Sequence, residues 1–290
     1  MHQARVASRR LREALPVLTA GLQHTKAGKA TRKIRRLTQA LGKVRELDVA
    51  LRLMDELAER PAVPRAALAE VRALVIEERE QGRSLMLERM KDVDQDKLAR
   101  RLAAVRQALG SPGPDHSWRS ALALRIARRG RRLEKAIEDA GQIYAPEGLH
   151  QVRIAAKKFR YALEIANDSG AAPCAVAIRT IKRVQDTLGR LHDLQVLQQH
   201  VAAVGAAPRN RRGTPDAALD VLSRLIEDDC RHLHGRYVAS IPGLRDVVQG
   251  ARKEVPVRLT ARRRSARAVK MTLAARRRAA RAEPGRRAGE

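Results

Sequence analysis

The chain has 290 residues, 44% of them apolar, and a formal net charge of +28 at pH 7 from 60 Lys and Arg against 32 Asp and Glu. The apolar share excludes a wholly disordered chain, and the length allows one or two domains. The charge points to a polyanionic partner, while five scattered aromatic rings, Trp118, Tyr144, Phe159, Tyr161 and Tyr237, make a poor platform for stacking bases.

Ala, Leu, Arg, Glu and Val dominate, and Gly and Pro fall mostly at breaks, which predicts an all-α protein. In chain order, helices are predicted over 2–23, 28–59, 63–91, 94–109, 116–140, 146–167, 172–204 and 215–239. Pro61-Ala-Val-Pro64 separates two of them, and Gly110-Ser-Pro-Gly-Pro114 marks a boundary between halves. Pro146 and Glu147 suit the first turn of a helix. Gly205 to Pro215 reads as a polar loop. Residues 251–290 hold 14 basic and 3 acidic residues, which predicts a basic tail, disordered or transiently helical. Cys174 and Cys230 form no CxxC pair and no disulfide framework, so they read as buried thiols of a reducing cytoplasm. No apolar run approaches the ~20 residues that span a bilayer, and no apolar signal segment opens the chain.

An internal repeat organises the sequence. His2-Gln-Ala-Arg5-Val-Ala-Ser-Arg9-Arg10-Leu-Arg12 returns 148 residues later as His150-Gln-Val-Arg153-Ile-Ala-Ala-Lys157-Lys158-Phe-Arg160. A second block returns at an offset of 147. Arg32-Lys33-Ile34-Arg35-Arg36 followed by Leu41-Gly42-Lys43 becomes Arg179-Thr180-Ile181-Lys182-Arg183 followed by Leu188-Gly189-Arg190. The chain therefore contains a duplicated unit, each copy a signature helix followed by a second basic helix. The copies are assigned to 1–110 and 115–245.

At about 100° per residue, His2, Arg5, Arg9 and Arg12 fall within an arc of roughly 80°, as do His150, Arg153, Lys157 and Arg160. Arg10 and Lys158 lie about 100° off that stripe. On the second helix of each copy, Arg32, Arg36 and Lys43 share one face, as do Arg179, Arg183 and Arg190; Arg35 and Lys182 stand on its shoulder. Like-charge stripes repel, and a helix needing only solubility would alternate signs. Residues 1–45 hold twelve basic side chains and a single acid, Glu13, whereas residues 51–100 hold ten basic and eleven acidic. The cationic faces are thus a functional expectation. Arg pairs bidentately with phosphate, Lys adds point charge, and His gains a second donor when protonated. A linear array of such donors suits a linear array of phosphates and has no evident means of reading bases.

These residues resemble the CHAD family, the conserved histidine α-helical domain. The resemblance rests on HQARVASRRLR at 2–12, HQVRIAAKKFRYALE at 150–164, LGKVRELDV at 41–49 and LGRLHDLQV at 188–196, and spans about residues 2–240. It implies two helical bundles related by an internal pseudo-two-fold, with basic faces lining a central groove or pore. It also implies binding of inorganic polyphosphate, association with polyphosphate granules, and the stripe residues as ligands. If His2 and His150 touch phosphate, affinity is expected to rise as pH falls through about 6.5.

The sequence departs from the family pattern in three places. The pattern starts at residue 2, so copy one lacks a counterpart to the helix over 116–140; the expectation is that Met1 is internal to a longer reading frame. Gln195 stands where copy one has Asp48, an acid expected to pair with a neighbouring cation. The tail lies outside the pattern, and nucleoid or nucleic-acid binding through it is the competing reading. The E-x-E-x-K mark of a companion triphosphatase is absent, since Glu78-Arg-Glu80 is followed by Gln81-Gly82, and no enzymatic activity, cofactor or metal is expected. Glu147-Gly-Leu-His150 has the spacing of a di-iron half-site, but one occurrence is too few. In Cys230-Arg-His232-Leu-His234 only the i and i+4 members share a face, which is poor for zinc. His24, His116, His192 and His200 read as surface or interhelical polar residues.

Overall fold

The computed structural model describes residues 2–20, 25–91, 94–110, 117–208 and 215–281. These residues are all-helical. Eight helices follow in order: α1 His2–Leu18, α2 Thr25–Ala58, α3 Arg65–Lys91, α4 Gln95–Gly110, α5 Ser117–Ala140, α6 Pro146–Asp168, α7 Ala175–Ala206 and α8 Asp216–Arg281. The predicted elements recur in the same order. The polar loop residues 209–214 and the 111–116 break lie outside the described residues.

The helix ends follow local chemistry. Pro146 opens α6 with Glu147 in its first turn, where a missing N–H costs nothing and an acid meets the positive end of the helix dipole. Gly141 and Gly170 have φ of 59° and 62°, a conformation an L side chain resists. They stop α5 and α6. After Gly170, the Ala171 N–H reaches back to the Ala166 carbonyl at 3.1 Å.

Among the described residues, packing builds one large core and two small satellites. In the large one, α5 packs on α6 and α8, α7 on α6 and α8, and α2 on α3. Leu53, Met54, Leu122, Ile126, Leu133, Phe159, Leu163, Ile181, Ile226 and Tyr237 are fully buried there. The first satellite joins α1, α2 and α4 through Leu15, Ala27, Ala30, Ile34 and Val105. The second joins α2 and α3 through Leu41, Val44 and Met86. Phe159, Tyr161 and Tyr237 are buried, and Trp118 and Tyr144 pack against the core. The aromatic rings are consumed by packing, which leaves none free as a stacking surface.

Cross-contacts tie the first half of the chain to the second. α1 packs on α5 and α6, α2 on α7, and α3 on α7 and α8. Glu13, the one acid of residues 1–45, is buried between α1 and α5, where it pairs with Arg129 and, at 3.3 Å, with Arg125. Arg129 also donates from Nη1 to the Lys158 carbonyl of α6 at 2.6 Å. One carboxylate therefore clamps three helices. Arg60 with Asp229 at 2.6 Å and Arg190 with Glu56 at 2.5 Å add further ties.

The expected tail from residue 251 is corrected over its first part. Helix α8 runs on past Ala239 through Pro242 and Pro256 to Arg281. Ile241, Leu244, Val248, Val255 and Leu259 are buried, continuing the apolar face of the helix well into the basic segment. Arg252 pairs with Glu134 of α5 at 3.0 Å. The physical reason is that a proline inside a helix forfeits a hydrogen bond and strains the preceding turn, whereas burial of five aliphatic side chains contributes about 1.5–3 kcal/mol each.

Candidate functional site

The four helices that carry the duplicated blocks meet at one cavity. It measures about 340 Å³ and is lined by Val6 and Arg9 of α1, Gly42, Arg45, Glu46 and Val49 of α2, Arg153 and Lys157 of α6, and His192 and Asp193 of α7. Each helix brings residues that its apolar stripe leaves over. On α2, Leu41, Val44 and Leu47 turn into the core, and Arg45 and Glu46 fall between them. On α7, Leu188, Leu191 and Leu194 are buried, and His192 and Asp193 take the corresponding gap.

Six of the lining residues form three pairs at the repeat offsets. Arg9 matches Lys157 at 148, while Arg45 matches His192 and Glu46 matches Asp193 at 147. Gly42 and Val49 match Gly189 and Val196, which lie outside the lining. Both halves of the sequence contribute to one space.

The predicted stripe divides into three groups. Arg9, Arg153 and Lys157 line the cavity, and His150 packs its ring on His192 with centroids 4.9 Å apart. Arg32, Arg35, Arg36 and Lys43 on α2, with Arg179, Lys182 and Arg183 on α7, are exposed outside that lining. The remainder are engaged elsewhere. Arg160 donates from Nε to Gln185 at 2.7 Å, pairs with Glu164 and stands over the Tyr161 ring. Arg190 pairs with Glu56. Arg10 faces a separate groove with Glu13 and Glu164, and Lys158 faces one between α5 and α6. Arg12 is partly buried. The side chains of His2 and Arg5 lie outside the described ones, although α1 begins at His2.

Arg45, Glu46, His192 and Asp193 are cavity residues that the cation stripe did not single out. Their signal was the second repeated block, where Arg45-Glu46 and His192-Asp193 hold matching positions. Asp48, the acid expected to be structural, does pair with a cation: Arg79 Nε donates to it at 2.7 Å. Its counterpart Gln195 donates to the Tyr144 hydroxyl at 3.0 Å.

The electrostatics of the cavity are set by burial among like charges. Burial lowers the pKa of Arg153 and of Arg45, and Arg9 adds repulsion to both. Arg153 Nε is buried without a hydrogen-bond partner among the described residues, a spare donor on the cavity wall. Burial, reinforced by Arg153, His150 and Lys157, holds His192 down to about 4, so it is neutral at pH 7. Burial pushes Asp193 up, while Arg153, Arg45 and Arg190 oppose that rise. Four cations against Glu46 and Asp193 leave the lining net positive.

Among the described residues, no group of three or more His, Cys, Asp or Glu could hold a metal ion. Glu147 holds the Gln151 amide at 2.6 Å, and His234 packs edge-on against Tyr144 at 5.3 Å. No described helix is long and apolar enough to cross a membrane.

Fold and cavity define an all-helical domain with a net-cationic cleft between two helix pairs. The chain belongs to the CHAD domain family, whose model matches residues 1–202. A search of curated proteins finds no match.

Proposed function

We propose that this protein binds inorganic polyphosphate without turning it over, using the cavity between α1–α2 and α6–α7 as part of a cationic channel. One observation carries the reading: Arg9, Arg45, Arg153 and Lys157, drawn from three helices in both halves of the sequence, converge on a single cleft. Family membership agrees with it. A cluster of four cations opposes folding unless something else rewards it, and a chain of phosphates supplies that reward through charge-assisted hydrogen bonds.

The repeat-matched lining and the packing of α1 on α6 and α2 on α7 support an approximate internal two-fold through the cavity. On this reading the exposed cations of α2 and α7 extend the channel beyond the cleft, so a long polymer meets successive donors. Targeting to polyphosphate granules follows as a consequence of the affinity. Catalysis is not part of the proposal.

The test is double charge reversal. Arg9→Glu with Lys157→Glu should weaken polyphosphate binding on the order of 100-fold or more, with helicity by circular dichroism unchanged. Unchanged affinity would remove the cavity from the site. Competition against duplex DNA at physiological salt separates the readings: equal affinity per charge would indicate a generic cationic surface. Released orthophosphate on incubation with Mg²⁺ would show that turnover occurs after all.

A further inference from the structure

The cavity contains groups that a purely cationic phosphate site does not need. His192 and Asp193, consecutive on α7, line it beside Arg9, Arg45, Arg153 and Lys157, and Glu46 joins them from α2. A phosphate oxygen accepts hydrogen bonds, and an ionised carboxylate also only accepts. An ionised Asp193 would therefore repel the ligand that its neighbours attract. A neutral His192 offers one N–H, where its repeat counterpart Arg45 offers a fork of five donors.

We propose that His192 and Asp193 are further ligand-contacting residues of this site, each meeting phosphate oxygens in its protonated form, so that capture of polyphosphate takes up protons. The inference rests on the polyphosphate reading given above.

The surroundings of the two groups supply the drive. His192 packs against His150 and is faced by Arg153 and Lys157 of α6, with Arg9 of α1 and Arg45 and Glu46 of α2 in the same cavity. In the protein by itself, burial and the α6 cations keep His192 neutral at pH 7. Arg153, Arg45 and Arg190 stabilise the Asp193 carboxylate against the cost of its burial. A polyphosphate chain lying among these cations cancels their field. The repulsion on the imidazole then disappears, and the carboxylate loses its support. Both changes raise proton affinity. The protons come from solvent, one onto the free ring nitrogen of His192 and one onto an Oδ of Asp193. The first creates a second N–H donor and the second an O–H donor, and no bond of the polymer is made or broken.

The sign follows from linkage. A site that takes up protons on binding gains affinity as pH falls, roughly tenfold per pH unit for each proton taken up. For His192 the window opens at about 4, its value in the protein by itself, and closes at its higher value in the complex. Below that window both states hold the proton and the dependence ends.

Isothermal titration of the full chain with long-chain polyphosphate at pH 6.5, in buffers of different ionisation enthalpy, measures the proton count. Long chains keep the terminal phosphates, which titrate near about 6, a small fraction of the ligand. The expected result is an enthalpy that varies with buffer ionisation enthalpy, with a slope of roughly one proton or more per bound site. His192→Gln and Asp193→Asn should each lower that slope, and the double variant should bring it near zero while binding more weakly through Arg9, Arg45, Arg153 and Lys157. A zero slope in the wild-type chain overturns the proposal, as does a full slope retained in the double variant. The wild-type measurement decides by itself if a variant fails to fold. Binding without proton uptake sinks this inference alone, whereas absence of binding at every pH sinks the polyphosphate reading with it.

Discussion

Glu13 offers the sharpest test of how the first half of the chain is held against the second. Its side chain is 7% exposed and pairs with Arg129 and Arg125, whose side chains are 10% and 18% exposed. Glu13→Gln keeps the shape and removes the charge. Two buried guanidiniums then face each other with no counter-ion, a situation that costs about 3–5 kcal/mol. At about 2–4 °C per kcal/mol for a domain of this size, the melting temperature should fall by roughly 6–20 °C. Thermal and urea unfolding followed by circular dichroism provide the assay. Because buried pairs are little screened, the loss should persist at 1 M salt. Adding Arg129→Met should cost less than the sum of the single losses, since the second change removes part of the orphaned charge. A loss below about 1 kcal/mol, the usual worth of a surface ion pair, would refute the clamp.

Two further outcomes are expected. Leu259→Ala, at a fully buried position of α8, should destabilise by about 2–5 kcal/mol in urea unfolding, as should truncation after residue 250; a neutral result would return this segment to the status of a tail. Cys174 and Cys230 are buried, and burial pushes the Cys174 thiol up to about 11 and raises Cys230 as well. Alkylation at pH 7.5 should leave both unmodified in the native protein and modify both in urea, as read by intact-mass spectrometry, and rapid native labelling would contradict their placement.

Most of the fold was legible because its punctuation is local. Pro61 and Pro64, Gly141 and Pro146, and Gly170 interrupt apolar periodicity where helices end. The end of the last helix was not legible. Ile241-Pro242-Gly243 reads as a break, and Arg density after residue 251 hides the spacing of Val255 and Leu259. Only the tertiary fit against α5, seen in the Arg252–Glu134 pair, shows why the helix continues. In the site, Arg9, Arg153 and Lys157 followed from a stripe of like charge. Arg45, Glu46, His192 and Asp193 escaped because a pattern sought as cations alone discards positions where acids are interleaved. Arg160 fitted the stripe but is held by Gln185 and Glu164, since helical periodicity gives the direction of a side chain and not the partner it finds there.

The matched composition of the cavity wall has a consequence for how a polymer would be admitted. Polyphosphate has no chemical polarity: its backbone is the same from either terminus. A nucleic-acid strand has a 5′ and a 3′ direction. If the repeat-related pairs Arg9 with Lys157 and Glu46 with Asp193 are disposed about the proposed two-fold, the wall offers similar groups to both leading ends, and a ligand without direction needs no orientational search before it threads. Of the three repeat-related pairs in the wall, Arg45 and His192 differ most in character, a permanent charge having a titratable counterpart. The share of any directional preference that originates at His192 would fade as that imidazole acquires its proton.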